Sequence, residues 1–434
     1  MNIAFYTLGC KVNQYETEVM REAFKKLDFN VVDDNEAFDV MVINSCTVTA
    51  ESDRKTRQVL HRFKKQNPNA VIVLTGCMVQ ALSDGARALT DADIIIGNKD
   101  VSKIAERVCE FLENRIPYFD VSLHGKTDEF NTPSIESFAE RTRAYMKIQD
   151  GCDRFCTYCI IPTARGWLRS KPLSDIKTEA EGLAENGYSE VVLVGINLTS
   201  YGKEKNSEFN ICDAVEAVSK IDGIRRIRLG SLEPDHITDE MLFRLKAVDK
   251  FCPQFHLSLQ SGCDETLKRM NRHYDTAFYR DLVNRIRKIF DDSAITTDIM
   301  VGFAGETEEE FSKSVAFAKE IGFAKAHIFA YSRRNGTMAY NMPNQITRSE
   351  KSRRSREMIN ATLQSEYDFI DSYLNKTVEV LFETAENGFA VGYTKNYLRV
   401  RVKSDFAHTG EILKVKITQR DGDCAVGKFA ASNQ

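Results

Sequence analysis

The feature that most restricts this chain is a rhythm: short apolar, β-rich runs alternate with longer amphipathic stretches along most of its 434 residues, and then the rhythm stops. Residues 2–7, 40–43, 71–74 and 94–96 read as buried parallel strands, with helical spacing in 16–27 and 52–65 between them. Strands that alternate with helices bury a parallel sheet between two helical layers, so residues 1–120 are predicted to form a doubly wound α/β domain. A polar stretch at 121–140, with Gly125 and Pro133, reads as a linker. The alternation resumes with six candidate strands, at 145–148, 190–194, 225–229, 254–259, 295–301 and 325–331. Six βα repeats predict a partial, partly open (β/α)6 barrel that ends, with a following helix, near residue 373. Residues 374–434 hold short alternating strands with Gly and Asn at the turns and no helix, which predicts a small all-β barrel.

Composition narrows the function classes. A hydrophobic fraction of 42% supports folded cores, and 59 Lys+Arg against 63 Asp+Glu leave a net charge of −4, so a polyanion would have to be held by local basic clusters. The longest apolar run, about residues 191–196, is far shorter than the roughly 20 residues a membrane helix needs. The N-terminus lacks the basic and apolar segments of a signal peptide, so a cytoplasmic protein without a membrane partner is expected. Eleven cysteines are too few for a disulfide scaffold and, in a reducing compartment, read as metal ligands, catalytic groups or small core residues.

Three of them stand in Gly151-Cys152-Asp153-Arg154-Phe155-Cys156-Thr157-Tyr158-Cys159, directly after the first strand of the expected barrel. Three thiolates at C-x3-C-x2-C spacing can ligate three irons of a cubane cluster and leave the fourth iron open to a substrate. A structural zinc loop is the competing reading, but it usually needs a fourth Cys or His, and the next cysteine is Cys212. The loop also sits at the strand end where barrel active sites lie. This motif resembles that of the radical S-adenosylmethionine (SAM) superfamily. The resemblance implies a 4Fe-4S cluster on Cys152, Cys156 and Cys159, SAM chelated to the free iron, and reductive cleavage of SAM to a radical. Phe155 and Tyr158 fit a role in shielding the cluster and the adenine, or ordinary loop packing.

Cys10, Cys46 and Cys77 are far apart in sequence, yet each follows one of the first three predicted strands. The carboxyl ends of parallel strands share one edge, so the three thiols are expected to converge as a second open-sided cluster. Unrelated core cysteines are the alternative.

Two three-cysteine sets, an α/β domain, a radical SAM barrel and a terminal β-barrel together resemble the methylthiotransferases over essentially the whole chain. The matching segments are Gly9-Cys10-Lys11-Val12-Asn13-Gln14-Tyr15-Glu16, Thr75-Gly76-Cys77, Asp298-Ile299-Met300-Val301-Gly302-Phe303-Ala304-Gly305-Glu306-Thr307 and Tyr331-Ser332-Arg333-Arg334-Asn335-Gly336-Thr337. The Leu8-Gly9-Cys10-Lys11-Val12-Asn13 start is similar to the branch acting on N6-threonylcarbamoyladenosine beside the tRNA anticodon. The resemblance implies two 4Fe-4S clusters, two SAM, a reducing electron donor, a sulfur donor and a tRNA anticodon stem-loop as partner, with the chain acting as a monomer. The same chemistry on isopentenyladenosine or on a ribosomal-protein aspartate, and a non-catalytic metal-stabilised RNA-binding protein, stand as alternatives. Gly195, Ser258, Gln260, Asp298 and Gly302 match positions expected around SAM, with Gly305 in the same turn; Ser258, Gln260 and Asp298 are expected to point into the barrel. Trp167 stands where the pattern has a small or basic residue.

In the terminal segment Arg399, Arg401 and Lys403 alternate with Leu398, Val400 and Val402, which predicts a basic strand face shared by Tyr397. Such a stripe, in a module that resembles the TRAM domain, reads as an RNA phosphate contact or as a solvated strand. Two further basic runs, 54–65 and 333–356, are candidate RNA contacts on the other domains.

Overall fold

The computed structural model describes residues 1–138, 142–204 and 209–430. The last two residues of the expected linker, the first of the expected barrel segment and residues 431–434 lie outside the described residues.

The N-terminal sheet has six parallel strands: β1 (Asn2–Thr7), β2 (Asn30–Val32), β3 (Val40–Ser45), β4 (Val71–Gly76), β5 (Ile94–Ile96) and β6 (Tyr118–Asp120), in the order β2-β1-β3-β4-β5-β6. Every residue of β3 and β4 is buried, because helices cover both faces. The strand period divides the core accordingly: Ile3, Val40, Val42, Val71 and Val73 pack on one face, and Ala4, Met41, Ile43, Ile72 and Leu74 on the other. The short strands β2 and β6 extend the four read from the sequence on either flank. The order reverses between β1 and β3, which is where a sheet of this kind opens a ligand crevice at its carboxyl edge.

The second unit is an open barrel. Its strands are β7 (Arg143–Lys147), β10 (Glu190–Val194), β11 (Arg226–Leu229), β13 (Gln254–Leu257), β14 (Ala294–Val301) and β15 (Lys325–Ala330). A two-residue ribbon, β8 (Gln149–Asp150) with β9 (Arg169–Ser170), brackets the cysteine loop, and β12 (Ser231–Leu232) prolongs β11 past Gly230 to pair with β13. All six main strands run parallel in sequential order, with β7 and β15 as the edges. The fourth strand stops at Leu257. Ser258 and Gln260 therefore lie beyond it and not on it: Ser258 presents its carbonyl to Arg272 and Tyr274, and Gln260 takes a left-handed φ of 67° while still bridging Ile299.

The helix Arg348–Asp371 runs beside β15 and leads into β16 (Thr377–Glu386), β17 (Phe389–Tyr393), β18 (Arg399–Lys403), β19 (Ile412–Asp421) and β20 (Cys424–Phe429), which close in the order β16-β17-β18-β20-β19. Val380, Phe382, Val400, Val402, Val415 and Ile417 fill this small barrel. It docks on the amino ends of the larger one, where Arg226 and Arg228 donate to the Tyr393 and Lys395 carbonyls at 2.9 and 2.8 Å. Among the described residues no helix is long and apolar enough to cross a membrane.

Candidate active site between two cysteine sets

The cysteine loop leaves the carboxyl end of the first barrel strand under tight backbone control. Gly151 has φ 73°, and a Cβ there would lie 1.8 Å from the Trp167 carbonyl oxygen, so only glycine fits. The Cys152 amide donates to the Gly166 carbonyl at 2.9 Å, and Thr157 ties the loop to Met270 and Arg269. Burial pushes the Cys152 and Cys159 thiols up to about 12, and Cys156 adds to the rise in both, so the three sulfurs share one neighbourhood. Arg272 donates to Cys156 Sγ at 3.2 Å and pairs with Glu233. Nothing in the spacing of the sequence marked Arg272, which enters from another loop.

The second set also converges. Cys10 precedes the helix Lys11–Lys25, Cys46 follows β3, and Cys77 opens the helix Cys77–Leu82. A Cβ on Gly9 would sit 3.2 Å from Cys46 Sγ. Asn13 is the hub: its Oδ1 lies 3.6 Å from Cys10 Sγ and 3.9 Å from Cys77 Sγ, while its Nδ2 donates to the Leu8 and Ser45 carbonyls at 3.0 Å each. Among the described residues no three His, Cys, Asp or Glu side chains are arranged around a single metal ion. A cubane needs each thiolate on a different iron, and each set supplies three thiols for such a group. Donors already aimed at Cys156 and Cys77 suit its negative charge as well.

A buried ionic network joins the two sets. Arg165, six residues after Cys159, donates to Cys77 Sγ at 3.1 Å and to Asn13 Oδ1 at 3.1 Å, and clasps Glu16 with both nitrogens of its fork. Lys147 completes it, 2.8 Å from Glu16 and 2.7 Å from Asp150. Burial opposes the charge on Glu16, but Arg165 and Lys147 outweigh it and leave the Glu16 pKa below its ordinary value. The barrel holds the N-terminal domain at a second point. Arg334 meets Asp53 at 2.8 Å and donates to Thr47, next to Cys46, at 2.6 Å. Arg334→Ala would leave the buried Asp53 without its cation, and we expect a loss of about 3 kcal/mol in denaturant unfolding, partly recovered in Arg334→Lys.

A cavity of ≈ 300 Å³ is lined by Val48 and Thr49, two and three residues past Cys46, and by Tyr158, Cys159 and Ile160 of the barrel loop. Gln260 and Asp298 form part of its wall, and Gln260 Oε1 is buried with no hydrogen-bond partner among the described residues. A second cavity, ≈ 400 Å³, lies below it, and the two share the inward face of the same strands. Ala294 and Thr296 line the lower and Asp298 and Met300 the upper; Lys325 and His327 line the lower and Phe329 and Tyr331 the upper. His256 and Asp298, 3.3 Å apart, mark the boundary.

The other positions singled out in the sequence fall as follows. Tyr158 is enclosed near Arg272 and Phe303. Phe155 is half-exposed and packs edge-on against Trp167 at 5.7 Å, a contact of the loop-packing kind that is the alternative to shielding. Gly195 backs onto Gln149, whose Cβ would be 2.9 Å from an added methyl. Gly302 (φ 69°) and Gly305 (φ 74°) make the expected turn, and the Gly302 amide donates to Glu306 at 2.6 Å.

The basic stripe is altered by its surroundings. Arg399, Arg401 and Lys403 alternate with buried valines as expected, but Arg399 pairs with Glu386 at 2.8 Å and Arg401 with Asp421. Lys403 is exposed. Tyr397 does not share that face. It sits before the strand at φ 73°, stacked on Tyr393 with ring centroids 4.7 Å apart, beneath Arg143 and Arg228. In the run 333–356, Arg353 and Arg354 are paired with Glu308 and Glu350.

Residues 2–97 match an uncharacterized protein family, UPF0004, and residues 146–318 match the radical SAM superfamily. The chain is 39% identical over 433 residues to the threonylcarbamoyladenosine tRNA methylthiotransferase MtaB of Bacillus subtilis, covering 98% of this chain and 96% of that protein. It is 32% identical over 432 residues to a tRNA-2-methylthio-N(6)-dimethylallyladenosine synthase of Clostridium perfringens, with 98% and 96% covered. Among solved structures, the radical SAM methyltransferase TsrM of Kitasatospora setae superposes with a TM-score of 0.58 over 78% of this chain and 76% of that one, and at 13% identity this likeness concerns the fold alone. The chain belongs to the radical SAM methylthiotransferase family, on the threonylcarbamoyladenosine tRNA methylthiotransferase branch.

Proposed function

We propose that this enzyme transfers a methylthio group to C2 of the adenine of N6-threonylcarbamoyladenosine beside the tRNA anticodon. The observation that carries the reading is the upper cavity, whose lining includes both the loop after Cys46 and the loop around Cys159. An aromatic C–H has no acidic proton for a general base to remove, so its replacement calls for a radical at one wall and a sulfur source at the other. When bound, the cluster on Cys152, Cys156 and Cys159 supplies the electron that cleaves SAM, and the cluster on Cys10, Cys46 and Cys77 carries the sulfur. The protein's own residues do the rest. Gln260 and Asp298 offer polar anchors in a largely apolar wall, while Met300, Phe329 and Tyr331 keep water from the reacting carbon. Arg272 and Arg165 hold the two thiol sets in place. Residues 1–120 carry the sulfur site, 141–373 the radical site, and 374–434 bind RNA, with Lys403 the basic-stripe residue left free for phosphate. The enzyme works as a cytoplasmic monomer, supplied by a separate electron donor and sulfur donor.

Nucleoside analysis after reaction with SAM, reductant and tRNA tests this. Threonylcarbamoyladenosine should be converted to its 2-methylthio derivative. A product from dimethylallyladenosine alone would move the substrate to the other branch, and a protein that holds zinc and leaves SAM intact would be a binding module.

A further inference from the structure

We propose that the lower cavity holds the N6 substituent of the substrate, with the Lys11 ammonium binding its carboxylate. This rests on the nucleoside assigned above. Lys11 leaves the N-terminal domain beside Cys10 and reaches into the barrel, where it helps to line the ≈ 400 Å³ cavity. Its neighbours there are Arg143, Arg228 and Glu190, and the Tyr145 ring lies 5.8 Å from its nitrogen.

The charge around it is uneven. Arg143, Arg226 and Arg228 flank Glu190 across neighbouring strands, and Glu383 reaches Arg143. With Lys11 there are four cations and two carboxylates; Arg228 donates to Glu190 Oε1 at 2.9 Å and Arg143 to Glu383 at 3.1 Å, so the cations outnumber the carboxylates. On the opposite wall Glu366 pairs with Lys325, and Asp423 lies 3.9 Å from both Lys325 and Arg399. Among the described residues no acidic side chain pairs with Lys11. Arg143 and Arg228 outweigh Glu190 around Lys11, so an anion brought in from outside would be favoured there.

The cavity suits a small polar group attached to an aromatic base. Its lining residues on β14 and β15 follow the same alternation as those of the upper cavity, and the stacked Tyr393 and Tyr397 are part of its lining. A threonylcarbamoyl substituent carries a free carboxylate, whereas a dimethylallyl substituent carries no charge. A site built for the acid would therefore reject the hydrocarbon by leaving Lys11 unpaired. This gives Lys11 a role in specificity distinct from that of its neighbour Cys10.

Binding of synthetic anticodon stem-loop RNAs to the iron-loaded enzyme tests this without turnover. The wild-type enzyme should bind RNA with the threonylcarbamoyl acid at least about tenfold more tightly than RNA with its carboxamide. Lys11→Gln should close that gap, and Lys11→Arg should keep part of it. Equal binding of acid and carboxamide by the wild-type enzyme would overturn the pocket, as would an undiminished preference in a Lys11→Gln protein with full iron content. The carboxamide comparison needs no variant, so it stands even if Lys11→Gln loses iron. If the wild-type enzyme prefers and methylthiolates dimethylallyladenosine RNA, the substrate reading fails, an outcome distinct from the loss of Lys11's role alone.

Discussion

Cys156→Ala is expected to abolish reductive cleavage of SAM, and Cys46→Ala to leave cleavage running while losing methylthio transfer. The two thiols belong to different triads on different domains. Cys156 sits between Cys152 and Cys159 in a loop fixed by Gly151, Thr157 and Arg272, so its loss would remove one of the three thiols proposed to hold the cluster that binds SAM. Outer-shell partners of metal ligands commonly cost 10- to 100-fold when removed, so loss of a ligand itself should exceed about 100-fold. Cys46 precedes the Val48–Thr49 segment that lines the upper cavity, and it follows Ser45, whose carbonyl Asn13 holds. Its removal breaks the sulfur site and leaves the SAM loop intact. Quantifying 5′-deoxyadenosine and the 2-methylthio nucleoside in the same reaction separates the two effects. A full methylthio yield from Cys46→Ala would make the second triad dispensable.

The architecture was legible because the N-terminal strands are near-continuous apolar runs and the barrel strands recur between helical stretches, and the cysteines of both sets follow strands. What stayed hidden was hidden for identifiable reasons. The edge strands β2 and β6 are three residues each and only partly buried, with two apolar residues apiece, too short a run to read. The basic period of β18 was readable, but the acids that neutralise it, Glu386, Asp421 and Asp423, lie at the ends of other strands, and only the barrel's closure brings them alongside. Tyr397 was assigned to a strand face by its position, yet a left-handed turn takes it out of the period. One signal was available. Val12, Tyr15 and Val19 form a helical stripe, and Glu16 falls inside it, a carboxylate on a face predicted to be buried. A charge in that position asks for a cation, and Arg165 is that cation. No spacing rule connects residues 16 and 165, because the contact arises only when the N-terminal domain covers the open end of the barrel.

That contact makes Arg165→Met the most disruptive change outside the cysteines. Arg165 is fully buried, and its side chain serves Glu16, Asn13, Cys77 and, at 3.5 Å, Asp150. Three cations, Lys147, Arg165 and Arg169, face two carboxylates, Glu16 and Asp150. The excess positive charge is matched once Cys77 becomes a thiolate ligand. Burial, helped by Glu16, Cys10 and Cys46, pushes the Cys77 thiol up to about 12, with Arg165 opposing that rise. Methionine fills similar space but provides neither the charge nor the fork. Glu16 would keep only Lys147, and breaking a buried pair in this way costs about 3–5 kcal/mol. Two effects should follow together: a drop of that size in denaturant unfolding, and a fall in iron from about eight per chain towards about four as the second triad empties. Arg165→Lys should retain more of both, since it restores the charge though not the paired geometry. If Arg165→Met kept full iron and wild-type stability, the network would be incidental to the sulfur site, and the coupling of the two domains would have to reside in Arg334 and Asp53.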